Sequence, residues 1–233
     1  MSTNKITIKN LSSHRKISLT AGILYILTFV SIPTLALYNP VKSANYILGS
    51  GSNNAAIIGG ILEIIVALAG IGTAVVLFPI LKKQNESAAL GLVAARILES
   101  STIFVGVAFI LTVVTMRQNG VEAGGLVTSH TLVYLYDRIF LLGQSFMPAI
   151  CDLLLGFMLY KSRLVPRRLA VIGIIGGPIL LLGYFAILFN LIGQHGGLAG
   201  LSAFPVAIFE FSLGVWLVVK GFNPSAVTAL EKK

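Results

Sequence analysis

Six long runs of apolar residues constrain this 233-residue chain more than any other feature. A bilayer core about 30 Å thick is crossed by a helix of roughly 20 apolar residues. Because 56% of the residues are hydrophobic and only 11% are charged, a single core surrounded by water could not bury them all. The sequence therefore predicts an all-α, polytopic membrane bundle with six transmembrane helices in one domain, residues 18–220. The runs cover residues 18–38, 55–80, 88–116, 131–160, 169–194 and 198–220.

Lysine and arginine are distributed unevenly between the two sides of these runs. Thirteen lie in the tails and in the connections on the same side as the tails, two lie in the opposite connections, and two lie inside the runs. Cytoplasmic segments carry the excess of positive residues, so we expect the tails, 1–17 and 221–233, to be cytoplasmic and the protein to lie in the cell membrane. The thirteen are Lys5, Lys9, Arg15, Lys16, Lys82, Lys83, Lys161, Arg163, Arg167, Arg168, Lys220, Lys232 and Lys233, against Lys42 and Arg117.

The formal net charge of +9 is explained by this asymmetry. Basic residues beside a membrane contact the bilayer surface, so anionic lipid headgroups on the cytoplasmic face are the expected partners, and nucleic acid is not. The first run is too long for a signal peptide and is followed by no small-residue cleavage pattern, so we interpret it as a retained helix. A homo-oligomer is compatible with the sequence.

Charged residues inside the apolar runs are the candidates for function. Charges are costly in hydrocarbon and usually face the bundle interior, where they pair or bind a solute. At 1.5 Å of rise per residue, four charged residues from three different runs lie at one depth, about 12 to 16 Å from the cytoplasmic side. This inner group comprises Arg96, Glu99, Asp152 and Glu210.

A secondary outer polar group is predicted from three further residues, Glu63, Asp137 and Arg138. Glu63 shares its helix face with small residues, which favours close helix packing around a hydrogen-bonded carboxyl group. Asp137 and Arg138 are adjacent and therefore about 100° apart on a helix. We interpret Arg138 as an anchor at the membrane interface.

The fourth run carries polar residues along most of its length. At about 100° per residue they fall on one broad face, which we expect to line the bundle interior or a water-filled cleft. Pro148 and Pro205 each lie shortly before a buried acid and predict helix kinks there. The predicted face comprises Tyr134, Asp137, Arg138, Leu141, Ser145, Pro148 and Asp152.

Two interpretations of the inner group stay open from the sequence. In the first, Arg96 is the centre of a structural salt-bridge network with Glu99 and one further acid. In the second, the excess of acids binds a proton, a cation or a cationic substrate, as intramembrane ionisable residues often do. The corresponding functions are a small-solute or proton-linked transporter, or a non-transporting scaffold that binds lipids or partners.

Motifs of the known membrane chemistries are absent from the sequence. It contains no HExxH, no GxSxG, no P-loop and no CxxC, and its three histidines lie at or beyond the ends of the runs. We therefore expect no catalytic residues, no metal and no cofactor. A lipid-modifying enzyme would lack a recognisable nucleophile or metal set, and Cys151 is interpreted as a packing residue.

Several short motifs dispersed along residues 18–223 resemble the bacterial domain-of-unknown-function family 4386. The resemblance implies a six-span inner-membrane protein and no established activity, and Arg96, Glu99 and Glu210 belong to the matching motifs. The motifs are LFPILKK at 77–83, ARILE at 95–99, YKSRLVPR at 160–167, Glu210, GVWL at 214–217 and KGF at 220–222.

Overall fold

A computed structural model of the protein describes residues 13–49, 52–120 and 124–232. Within these ranges the regular secondary structure is entirely helical. Six of the helical segments are long and apolar enough to cross a membrane. The predicted class, an all-α bundle with six membrane-spanning helices, is confirmed, while the side on which the termini lie stays a prediction. The six segments are Ser13–Leu37, Asn54–Leu81, Glu86–Gln118, Gly125–Ser162, Arg167–Leu188 and Gly197–Val219.

The first span is broken, not continuous over residues 18–38 as predicted. Helix α1 (Ser13–Leu27) passes into a 3₁₀ turn (Thr28–Ser31), and a short helix α2 (Thr34–Leu37) follows. Pro33 has no backbone N–H, so the helical hydrogen bond that it would donate is missing. The carbonyl of Phe29 instead accepts the N–H of Ile32 at 3.2 Å. Hydroxyl groups of this segment also donate to carbonyls, such as Thr28 Oγ1 to Tyr25 O at 2.7 Å.

Helices α3 (Asn54–Leu81) and α4 (Glu86–Gln118) form an antiparallel pair joined by a short connection. The side chain of Asn85 caps α4 by accepting the N–H of Ala88 at 2.9 Å. Ser100 Oγ of α4 donates to the carbonyl of Ala67 on α3 at 2.8 Å, so the two helices are in direct polar contact within the bundle.

The fourth span consists of α5 (Gly125–Leu141), a π-helical turn (Leu142–Phe146) and α6 (Met147–Ser162). The turn lies immediately before the proline at position 148, which cannot donate to the preceding turn. A π turn contains more residues than an α turn. A uniform rotation of 100° per residue therefore no longer relates the side chains before the turn to those after it. The predicted polar face is therefore interrupted: Asp152 is fully buried, whereas Tyr134 is 69% exposed.

The fifth span, α7 (Arg167–Leu188), ends earlier than the predicted limit at residue 194. Residues 189–196 connect it to α8 (Gly197–Val219), so this connection is longer than the three residues between the predicted runs 169–194 and 198–220. Asn190 has a φ of 59°, a left-handed conformation that asparagine tolerates and that ends the helix. The apolar run continues past this point, but its side chains no longer belong to the helix.

The predicted C-terminal tail carries a helix, α9 (Pro224–Glu231), which packs against the bundle. Its apolar residues Ala226, Val227 and Leu230 are buried in the main core together with residues of α3, α6 and α8. The N–H of Asn223 donates to Leu164 O at 2.9 Å and fixes the start of this helix beside the α6–α7 connection.

Large apolar side chains cover the outer surface of the spans, among them Leu68, Leu182 and Leu201. Such a surface is expected of helices that face lipid. Inside the bundle, glycines allow close helix contacts. A Cβ added at Gly22 of α1 would lie 2.7 Å from the carbonyl oxygen of Gly214 on α8, so small residues set this contact, as is common in membranes.

Candidate functional site

Arg96 of α4 joins two acids from two helices. Its side chain is 3% exposed, and one terminal nitrogen donates to both carboxyl oxygens of Glu99, at 3.1 and 2.9 Å. The other terminal nitrogen donates to Glu210 Oε1 of α8. Glu99 lies one helical turn after Arg96, so this contact follows from the sequence spacing alone. The contact with Glu210 depends on the packing of α4 near α8.

Asp152 of α6 completes the inner group, although its pairing is the weakest. Its Oδ1 lies 3.8 Å from the nitrogen of Arg96 that also contacts Glu210. Asp152 is fully buried, and its carboxyl oxygens accept no hydrogen bond from an N–H or hydroxyl group of the described residues, while the carboxyl group of Glu210 lies within hydrogen-bonding reach of it. The structure thus brings all four predicted inner residues together. Three carboxyl groups around one guanidinium group leave an excess of acids.

A cavity of about 200 Å³ lies beside this cluster. Arg96, Glu99 and Glu210 form its charged wall, and the broken segments of two spans form much of the rest. Non-helical backbone at membrane depth is tolerated where it lines a cavity or is buried in protein, which fits this placement. Other polar or kinked lining residues are Thr28 and Ser31 of the 3₁₀ turn, Ser100 of α4, Gln144 of the π turn and Pro148.

Glu63 of α3 is the centre of a second polar group. It is 1% exposed and accepts hydrogen bonds from Tyr136 Oη at 2.8 Å and Tyr38 Oη at 3.1 Å, and from Gln144 Nε2 at 3.3 Å. Burial and the neighbouring Glu63 raise the pKa of Tyr38, so its hydroxyl stays protonated and can donate. Because Gln144 also lines the cavity, it connects Glu63 to the inner cavity.

The predicted outer group does not form one cluster. The carboxyl group of Asp137 pairs with Lys42 at 2.7 Å and lies 3.8 Å from His195. Glu63 has no direct contact with Lys42 or His195. Lys42 does lie 4.7 Å above the ring of Tyr136, which donates a hydrogen bond to Glu63. Arg138 forms no ion pair within the described ranges of the chain. Adjacent residues on a helix point in different directions, so the side chains of Asp137 and Arg138 lie apart.

A smaller cavity of about 90 Å³ lies between these outer residues. Tyr38 and Tyr136 line it from the side of Glu63, and Lys42 and His195 line it from the side of Asp137. Polar side chains therefore follow one another from this outer cavity through Glu63 and Gln144 to the inner cavity.

Sequence reasoning missed three of these residues, Tyr38, Tyr136 and Gln144. Gln144 could have been found, because an amide inside an apolar run is unusual and needs a partner. The tyrosines carry no comparable signal, since tyrosine is common near membrane interfaces whatever its role.

The arrangement can bind cations or hydrogen-bond donors through its carboxyl groups, and it can hold protons. Among the residues that the structure describes, no three His, Cys, Asp or Glu side chains are placed to hold a metal ion. Cys151 lies next to the cluster, with its Sγ 3.6 Å from Glu99 Oε2, and is buried.

Comparisons with curated proteins and with solved structures gave no match. A family model described as "Domain of unknown function (DUF4386)" matches residues 20–221, which include the inner cluster and all but the start of the first span. With most of its length matched, the chain belongs to the DUF4386 family, and its six long apolar helices make it an integral membrane protein.

Proposed function

We propose that the protein transports a small solute across the membrane and that the cavity beside Arg96, Glu99 and Glu210 is the binding site. The observation that carries this proposal is a charged cavity lined by membrane-spanning helices. Its volume of about 200 Å³ suits a small solute, because pockets for drug-sized ligands start at about 300 Å³. The excess of acids over Arg96 favours a cationic solute or a proton.

Helix discontinuities around the cavity support transport over a static role. The 3₁₀ turn Thr28–Ser31 and the π turn Leu142–Phe146 both contribute lining residues. Pro205 interrupts the hydrogen bonding of α8 shortly before Glu210. Transporters commonly form their binding sites near the midplane from broken helices, which can change conformation around a bound solute.

The chain of polar side chains towards the outer cavity supports proton coupling. Gln144 donates to Glu63 and also lines the inner cavity, so a second buried acid lies between the two cavities. Intramembrane carboxyl groups commonly serve as proton carriers in transporters. In this proposal Glu63 exchanges protons with the outer side, and the inner acids bind the solute.

The test compares the wild type with Glu210→Gln, which removes a charge from the cavity wall. Melting temperatures would be measured in detergent with a panel of small cations (methylammonium, guanidinium and choline), and proton uptake would be measured in liposomes that contain a pH-sensitive dye. We expect stabilisation by a cation or proton uptake in the wild type, and neither in Glu210→Gln. The control is Glu231→Gln, an exposed acid of α9 outside the cavity, which should behave as the wild type.

If the wild type and Glu210→Gln show the same cation response and the same proton uptake, the proposal is wrong. A second candidate function would then explain the cluster: a non-transporting membrane protein in which Arg96 holds α4 and α8 together. The hydrogen bonds of Arg96 to Glu99 and Glu210 favour this alternative. It predicts that Glu210→Gln lowers the melting temperature equally at every pH and with every solute.

A further inference from the structure

A cavity of about 600 Å³ lies at the end of the bundle where the α6–α7 connection meets the end of α8. Three basic residues line it, Arg163, Arg167 and Lys220, together with the indole ring of Trp216. The described residues that line it include no acid. The inner cluster lies on other residues, so this cavity is independent of the proposed transport site.

Local structure fixes the backbone beside the cavity and one of its basic side chains. Arg163 ends α6 in a left-handed conformation with a φ of 57°, and Pro166 directs the chain into α7. The guanidinium group of Arg167 lies 4.7 Å above the ring of Tyr160, and its Nε donates to the carbonyl of the same residue at 3.3 Å. These contacts fix the backbone and one of the three charges.

The three charges are not neutralised by the protein. Within the part of the chain that the structure describes, Arg163, Arg167 and Lys220 form no ion pair with an acid. All three are exposed residues at the same end of the bundle. Unpaired basic residues that converge on one cavity attract an anion, and a phosphate group satisfies several such donors at once.

An apolar groove adjoins this cavity. It has a volume of about 310 Å³, is lined by Phe211, Val215 and Val219, and shares Trp216 and Lys220 with the basic cavity. From Lys220 to Phe211 the groove follows α8 for about 13 Å, at 1.5 Å of rise per residue. This length lies along a membrane-spanning helix, on its exposed side, where an acyl chain would lie.

We propose that the basic cavity and the apolar groove together bind an anionic phospholipid. The phosphate group contacts Arg163, Arg167 and Lys220, and one acyl chain lies along α8 in the groove. A free phosphate ion would use the charges but not the groove, and a zwitterionic lipid would use the groove but gain less from the charges. Trp216, at the junction of the two, has the place that tryptophan prefers at the bilayer interface.

Trp216 is the only tryptophan of the chain, so its fluorescence reports on this site alone. The full-length protein would be reconstituted in phosphatidylcholine bilayers that contain one brominated lipid, either phosphatidylglycerol or phosphatidylcholine. Brominated acyl chains quench tryptophan fluorescence on contact. We expect brominated phosphatidylglycerol to quench Trp216 more strongly at equal mole fraction. Each cation near the bilayer surface favours an anionic lipid by about fivefold, so three should give a preference of at least tenfold.

The triple variant Arg163→Gln, Arg167→Gln, Lys220→Gln should lose this preference. The matched control is Lys82→Gln, Lys161→Gln, Arg168→Gln, which removes the same charge from residues that do not line the cavity. Melting temperatures of both variants would confirm that they fold.

Three results would overturn the proposal. The cavity variant could keep the preference for phosphatidylglycerol, or the control variant could lose it to the same extent. Inorganic phosphate or glycerol phosphate could also relieve the quenching as completely as unlabelled phosphatidylglycerol, and the site would then take a free phosphate group without its lipid chains.

Discussion

Replacing Arg96 with glutamine would remove the base that neutralises the three acids of the inner cluster, two of them buried and one half-buried. The guanidinium group donates to Glu99 and Glu210 and lies 3.8 Å from Asp152. Removing one partner of a buried ion pair costs about 3 to 5 kcal/mol, because the other partner stays buried without its counter-charge. For a chain of this length, each kcal/mol of lost stability lowers the melting temperature by about 2 to 4 °C. Arg96→Gln should therefore melt about 6 to 20 °C below the wild type.

The structure also supplies the assay for this prediction. Cys151 is the only cysteine of the chain and is buried, so a thiol-reactive fluorescent dye in detergent reports unfolding on heating. The control Arg168→Gln removes an exposed arginine and should change the stability by less than about 0.5 kcal/mol.

A rescue experiment separates lost pairing from lost packing. Adding Glu99→Gln and Glu210→Gln to Arg96→Gln removes two of the uncompensated acids, so we expect at least half of the lost melting temperature to return. The reasoning would be refuted if Arg96→Gln melted within about 2 °C of the wild type. It would also be refuted if the triple variant melted as low as the single variant, because the acids would then not be the source of the instability.

Two further predictions concern helix packing and topology. Gly177→Ala should destabilise the protein by about 1 to 3 kcal/mol, because a Cβ there would lie 2.7 Å from the backbone oxygen of Ala149. Gly91→Ala, whose nearest contact would be 3.9 Å away, should be neutral or stabilising in the same thiol assay, and equal losses would contradict the packing argument. In a Cys151→Ala background, an impermeant maleimide should label Ser43→Cys in intact cells and Ser225→Cys only after permeabilisation. The opposite labelling pattern would reverse the predicted orientation.

The inner cluster could be predicted because it depends on quantities that a sequence contains. The rise of a helix is fixed, so the depth of Arg96, Glu99, Asp152 and Glu210 follows from the ends of their apolar runs. Charged groups at one depth in several helices pair with one another inside the bundle, because the surrounding hydrocarbon offers no other partner. Their convergence is therefore strongly favoured in any compact arrangement of the helices.

The helix breaks beside the cavity could be predicted only in part. Pro33 and Pro148 indicate that hydrogen bonds are lost nearby, but a chain can respond with a kink, a 3₁₀ turn or a π turn. These responses differ little in local energy, so packing against neighbouring helices decides among them. The π turn Leu142–Phe146 then changed the face of every residue that follows, which a uniform 100° rotation could not anticipate.

The outer residues were predicted least well, because their partners come from distant parts of the chain. Lys42 reaches Asp137 from the connection before α3, a segment with no periodic pattern from which a conformation could be derived. The hydrogen bonds of Glu63 depend on how α3 and α5 are rotated about their own axes. Rotation is set by packing across the whole interface, and no single residue reveals it.

Asp152 decides how the inner cluster should be interpreted. Glu99 and Glu210 account for the hydrogen bonds that Arg96 donates, so these three residues explain a structural link between α4 and α8 without a fourth. Asp152 is fully buried, and its polar neighbours are Arg96 at 3.8 Å and the carboxyl group of Glu210, which is not a counter-charge. Such an acid lowers the stability, and an apolar side chain of similar volume would pack there at less cost. A purely structural network thus gives no reason for an acid at this position. Two adjacent carboxyl groups can, however, hold one proton between them, and Glu210 carries that pair to the cavity wall, so Asp152 is the residue that most supports the transport proposal.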